Sequence, residues 1–172
     1  MISNKMQAEI NRQINAELWS AYLYLAMSLD AESKALQGAA NWFFVQWLEE
    51  QDHSRILQNY LNDRGAKVVL SPIESVPNKW KSLLDMLEDA LVQERKVTEM
   101  INRIYSLAYE EDDFATMSRM QWFIDEQVEE EKSVTDAINT LRDMPVYYFD
   151  QIMAERKYSQ ASPLKKDDDS KE

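Results

Sequence analysis

The chain has no cysteine, two glycines, four prolines and one histidine among 172 residues. Without cysteine there are neither disulfides nor thiolate metal sites. So few glycines and prolines starve strands and hairpin turns of the residues they need. Basic residues are also in the minority, 19 Lys and Arg against 31 Asp and Glu, for a net charge of −12. Nucleic acid and anionic membranes both want the opposite sign, so neither is an expected partner, while cations are. No apolar run approaches the length of a membrane span, and no basic patch followed by an apolar run opens the chain. A soluble cytoplasmic protein is the expectation. What is plentiful is Glu, Leu, Ala, Met and Gln, the composition of long helices in one domain.

Apolar residues recurring every three or four positions predict four long helices. The first covers residues 4–33, with an inward stripe of Ile10, Ile14, Glu17, Ala21, Tyr24 and Ser28. After a break at 34–38, the second covers 39–64, with Phe43, Gln46, Glu50, His53, Leu57 and Leu61 inward and Gly65 just past its end. Residues 66–81 carry Pro72 and Pro77 and read as irregular. Extended at about 3.3 Å per residue they reach roughly 50 Å, the length of a long helix. The next helix can therefore begin again at the other end of a bundle. The third helix, 82–110, starts at the N-cap Ser82 and turns Leu83, Leu87, Leu91, Glu94, Val97 (or Thr98), Ile101 and Ile104 inward. Glu111-Asp112-Asp113 supplies the cap of the fourth, 114–141, whose stripe is Met117, Met120, Phe123, Gln127, Glu130, Val134, Ile138 and Leu141. Pro145 opens a short apolar fifth helix that needs a partner. Residues 1–158 form the domain, and 159–172 are a polar tail expected to be disordered. The fold class is all-α: a four-helix bundle with one long crossover and a short C-terminal helix.

Each long stripe is broken by polar residues near its middle. Glu50 and His53, the only histidine, stand three apart, about 60° round and roughly 4.5 Å along the helix, where they can grip one ion together. In an antiparallel hairpin, residues equidistant from the turn lie level. Glu17 is level with Glu50 and His53 about the first break, and Glu94 is level with Gln127 and Glu130 about the acidic turn. In a bundle all six meet at its centre. A single Glu on an apolar face is ordinarily an edge position. Four carboxylates together are different, because each buried ion costs several kcal/mol unless paired. Arg55, Arg95 and Lys132 point away from the stripes. Without cations the carboxyl pKa values have to rise, whereas two divalent ions neutralise all four. Oxygen donors with one imidazole are too hard for copper(I), and structural zinc prefers more His or Cys. The set suits iron(II) or manganese(II), with Glu50 as the bridge.

At this point the chain resembles the ferritin family, most closely the non-haem ferritins of bacteria. The resemblance covers residues 4–157 and rests on Glu17 with Tyr24 seven residues on, Glu50-x-x-His53, Glu94 and Glu126-Gln127-Val128-Glu129-Glu130-Glu131. It implies one iron held by Glu17, Glu50 and His53, and a second by Glu50, Glu94 and Glu130 with Gln127 beside it. Di-iron enzymes and bacterioferritins carry Glu-x-x-His on both hairpins. Here the second copy is Gln127-x-x-Glu130, so the second iron should be held more loosely and passed on. Asp52 stands where bacterioferritins have a haem-binding Met, so no haem is expected.

The resemblance further implies a third iron site at Glu49, Glu126, Glu129 and Glu130, though a solvated flank of the fourth helix would look the same. Tyr24 is either an electron donor or hydrogen-bond partner near the irons, or a core tyrosine with a bonded hydroxyl. For Trp122 packing is the expected role. The implied activity is storage of iron coupled to oxidation of iron(II) by oxygen or hydrogen peroxide, inside a homo-oligomeric shell of 24 subunits. Three other readings compete. A di-iron oxidase or peroxidase would retain its metals, and Gln127 argues against it. A DNA-protecting mini-ferritin would carry basic tails and no fifth helix. A purely structural bundle leaves the carboxylates uncompensated.

Overall fold

A computed structural model describes residues 2–163 of the chain. Among them are five helices and no strand: α1 (Asn4–Ser33), α2 (Gln37–Asp63), α3 (Leu83–Glu110), α4 (Phe114–Asp143) and α5 (Val146–Met153). α1 packs on α2 and α3, α3 packs on α4, and α5 closes against α2 and α4. This is the expected bundle, with the long connection between its second and third helices.

The helix ends follow local chemistry. Ser3, Ser82 and Asp113 accept hydrogen bonds from the backbone N–H three residues on, satisfying donors at the starts of α1, α3 and α4. Gly65 takes a positive φ of 69°, so the chain leaves α2 in the left-handed conformation that glycine adopts freely. The break between α1 and α2 is shorter than the stripes suggest, because Gln37 already begins α2. Gly38 therefore lies within the first helical turn, where a Cβ would sit 1.6 Å from the Asp150 carbonyl oxygen of α5. Ala39 N–H donates to the Asp150 carboxylate at 2.8 Å, completing this close helix contact.

The crossover is irregular but well tied. Asn11 and Asn15 on α1 each use a side-chain amide as a strand would use its backbone. Asn11 donates to the Lys67 carbonyl (3.0 Å) and accepts from Val69 N–H (2.7 Å). Asn15 donates to the Val69 carbonyl (3.0 Å) and accepts from Ser71 N–H (2.7 Å). At the far end Trp80 N–H reaches Asp30, so the connection runs the length of α1.

All the α1 and α2 stripe residues are buried. On α3, Ala90 takes the buried place expected of Leu91, which is half-buried, and Val97 rather than Thr98 faces inward. On α4 Met117 is half-buried. The buried apolar residues form two clusters. One gathers Tyr24, Met27, Phe43, Leu87, Val134 and Phe149; the other gathers Ile10, Ile14, Leu57, Ile101, Met120 and Phe123. Polar side chains at mid-helix lie between them.

The chain after α5 turns back along α2. Tyr158 O–H and Ala161 N–H both donate to Asp52, at 2.6 and 3.0 Å. The first residues of the tail, 159–163, thus meet a buried carboxylate that needs donors. The rest of the tail expected to be disordered lies outside the described residues.

Candidate metal centre

Glu17, Glu50 and His53 each bring one ligand atom within 4.8 Å of the others, and all three are buried. Glu17 comes from the middle of α1 and the other two from the middle of α2, level across the hairpin as their spacing requires. Gln13, one turn ahead on α1, donates to Glu17 Oε1 at 2.8 Å. His53 lies edge-on to Trp122 and Phe123, 5.7 and 5.9 Å between ring centres, which fixes its plane. Its Nδ1 is 3.6 Å from Glu50 Oε2. Glu17 Oε2 and Glu50 Oε2 are buried and receive a hydrogen bond from no protein donor. A shared proton or a cation is what such oxygens require.

The second hairpin supplies Glu94, Gln127 and Glu130, all buried, and here both oxygens of Glu94 and Oε2 of Glu130 accept hydrogen bonds. Tyr24 O–H donates to Glu94 Oε1. Gln127 Nε2 lies 3.2 Å from Glu94 Oε2 and 3.1 Å from the Glu94 carbonyl. Gln46 Nε2 reaches across from α2 to Glu130 Oε2 at 2.9 Å. Thr98 bonds the Glu94 carbonyl (3.1 Å) and Glu131 (2.6 Å). An open cleft of about 330 Å³, lined by Thr98, Ile101, Gln127 and Glu131, approaches this half from between α3 and α4.

Burial without compensating charge pushes Glu17, Glu50 and Glu94 up. Glu17 is raised well above the ordinary range by burial and then by Glu50. Glu50 is raised likewise by burial and then by Glu94. Glu94 rises to about 8 through burial and the neighbouring Glu130, and Tyr24 is raised by burial and Glu94. The bases that could have neutralised them are elsewhere: Arg55 pairs with Asp52, Arg95 approaches Glu131 at 3.8 Å, and Lys132 pairs with Asp136. A divalent ion fits this donor set, offering charge to carboxylates that otherwise keep protons.

The other acidic residues read from the sequence are less gathered. Glu49 is half-buried and pairs with Arg156 at 2.5 Å; burial raises it to about 7 against the pull of that guanidinium. Glu126 is half-buried and Glu129 exposed. Among the described residues, Glu17, Glu50 and His53 are the one group that meets the distance requirement for a common ion. Three residues at the centre have partners that the sequence does not reveal. Gln13 lies one turn ahead of Glu17, Gln46 interrupts the apolar stripe of α2, and Thr98 was weighed only as a packing alternative to Val97. The signal available was a polar residue one turn from a candidate ligand.

Comparison with known proteins agrees with this geometry. The ferritin family, described as a ferritin-like domain, matches residues 7–144. A bacterial non-heme ferritin of Staphylococcus epidermidis is 33% identical over 165 residues, 93% of this chain and 99% of that one. One from Staphylococcus aureus is 36% identical over 141 residues, 82% and 85% of the two chains. Among solved structures, an open-pore ferritin from the hyperthermophilic archaeon Archaeoglobus fulgidus superposes with a TM-score of 0.90 at 39% identity, covering 91% of this chain and all of that one. A closed form of that ferritin, engineered by site-directed mutagenesis, gives the same TM-score at 38% identity over 92% of this chain. By sequence, fold and the carboxylate–histidine group at mid-bundle, this chain belongs to the ferritin family.

Proposed function

We propose that the protein stores iron and oxidises iron(II) as it does so. The observation that carries this reading is the pair of buried carboxylate oxygens, Glu17 Oε2 and Glu50 Oε2, without protein donors beside His53. One iron(II) binds Glu17, Glu50 and His53. A second binds Glu50, Glu94 and Glu130 with Gln127 alongside. Each iron(II) gives up one electron. Dioxygen takes both with two protons and leaves as hydrogen peroxide; where peroxide is the oxidant, it takes two electrons and two protons to become water. Iron(III) then hydrolyses and moves on as mineral. Tyr24, bonded to Glu94, steadies that ligand. Glu49, Glu126, Glu129 and Glu130 receive iron on its way out.

The homo-oligomer proposed is a shell of 24 subunits, acting in the cytoplasm without nucleic acid or membrane. Exposed Tyr147, Tyr148 and Ile152 on α5 support an assembly that covers them. No helix among the described residues is long and apolar enough to cross a membrane. Haem is not part of the proposal: Asp52 is committed to Arg55, Tyr158 and Ala161 and offers no thioether.

The test is iron retention. Excess iron(II) is added to the metal-free protein in air, and each size-exclusion fraction is assayed for iron. Iron far above two per chain, eluting with a very large particle, is expected of a storage shell. Iron stopping at about two per chain identifies a dinuclear enzyme that keeps its metals.

A further inference from the structure

Gln46 is the one polar residue on the inward stripe of α2 besides Glu50 and His53, and it stands one turn ahead of Glu50. It is wholly buried. Its Nε2 crosses from the first hairpin to the second and donates to Glu130 Oε2 at 2.9 Å. Its own Oε1 is buried with no partner. A buried acceptor left unpaired is unfavourable, and a leucine would fill an apolar stripe without that cost. The amide is therefore explained by what it holds.

Building on the iron-oxidation reading above, we propose that Gln46 is a positioning residue that keeps Glu130 a one-oxygen ligand for the second ion. A carboxylate with two free oxygens closes on a cation as a chelate. With Oε2 held by an N–H, only Oε1 is left free for an ion, and the grip would be looser. Because the donor comes from α2, the helix that also carries Glu50, the same element sets both carboxylates flanking the second ion. Gln127 engages Glu94 from its own hairpin; Gln46 does so for Glu130 from the opposite one. The consequence is a second iron that binds after the first and leaves readily.

The test is a calorimetric titration of the assembled protein with iron(II) under anaerobic conditions, run on wild type, Gln46→Leu and Gln46→Asn. The leucine variant removes the donor. The asparagine variant keeps an amide but is one methylene too short to reach, and serves if leucine at this position does not fold. The first ion should bind as in wild type. The second should bind roughly tenfold more tightly, the worth of one hydrogen bond's geometry. Cobalt(II) in place of iron(II) should show weaker visible bands for the second ion, the signature of a higher coordination number. A second ion bound equally or more weakly in a folded variant, with an unchanged cobalt spectrum, overturns the role of Gln46 and leaves the oxidation reading intact. A wild-type protein that takes up only one iron(II) per chain overturns both.

Discussion

The two halves of the candidate metal centre are built from nearly the same residue types and differ in what their oxygens are doing. On the α1–α2 side, Glu17 and Glu50 each present a buried oxygen with no protein donor, beside an imidazole. On the α3–α4 side, Tyr24 and Gln127 occupy Glu94, and Gln46 occupies one oxygen of Glu130. An ion reaching Glu17 Oε2 and Glu50 Oε2 breaks no hydrogen bond from a protein donor and displaces only protons. An ion entering the second must compete with hydrogen bonds that the protein already makes, each worth about 1 kcal/mol net. On the proposed two-ion reading, the amides and hydroxyl around the second half weaken its hold on an ion relative to the first.

The most severe way to break the comparison is to remove the residue common to both halves. Glu50→Ala should abolish fast iron(II) oxidation, a loss of at least about 100-fold, of the size expected when a two-metal site is dismantled. Assembly should be unchanged by size exclusion. A wild-type rate in that variant would place the bridge elsewhere. A finer cut separates the halves. His53→Ala should lose the first, tighter iron(II) in an anaerobic titration, whereas Glu130→Gln should lose the second alone. If both variants lost the same ion, the halves would not be independent.

Much of this is legible in the sequence. Four helices, a crossover long enough to span the bundle, and the level meeting of Glu17, Glu50, His53, Glu94, Gln127 and Glu130 all follow from periodicity and distance to the turns. Periodicity reports which face is buried and is silent on partners. Hence the amides of Gln13 and Gln46 went unread as functional, and Leu91 was preferred to Ala90 because a larger apolar residue looks like the better core. The two asparagines of α1 were likewise invisible, since their role appears only once a second backbone lies beside them. Asp52 was read as the absence of a haem ligand, and its positive role, holding Tyr158 and Ala161, depends on where the chain after α5 returns.

The raised carboxyls give the comparison a pH dependence. An unfolded Glu releases its proton near 4.5, whereas folded Glu94 holds on until about 8, and Glu17 and Glu50 are shifted in the same direction. The folded metal-free chain therefore binds more protons than the unfolded one across this window. The stability these three carboxyls contribute is fully present below about pH 4.5 and is lost as pH rises, by about 1.4 kcal/mol per pH unit for each proton so retained. Denaturant titrations of chelator-treated protein at about pH 5 and about pH 8 should show the loss, and Glu94→Gln should flatten part of the slope. Divalent metal replaces the protons, so its binding should strengthen over the same window and release protons to buffer. A metal-free stability that climbs with pH would mean that the carboxylates find other counter-charges.

The smallest effect tests whether the asymmetry extends beyond the centre. Glu129 is exposed on α4, one position before Glu130, while Glu49 already has Arg156 as a counter-ion. If these carboxylates carry iron away from the second half, Glu129→Ala should leave the first oxidation of two iron(II) per chain unchanged. Later turnovers should slow about two- to threefold, since an exposed carboxylate contributes little binding energy alone. Stopped-flow absorbance with successive small additions of iron(II) separates these phases. A uniform slowing of all additions would locate the effect at the centre itself. No change in any addition would make Glu129 surface charge.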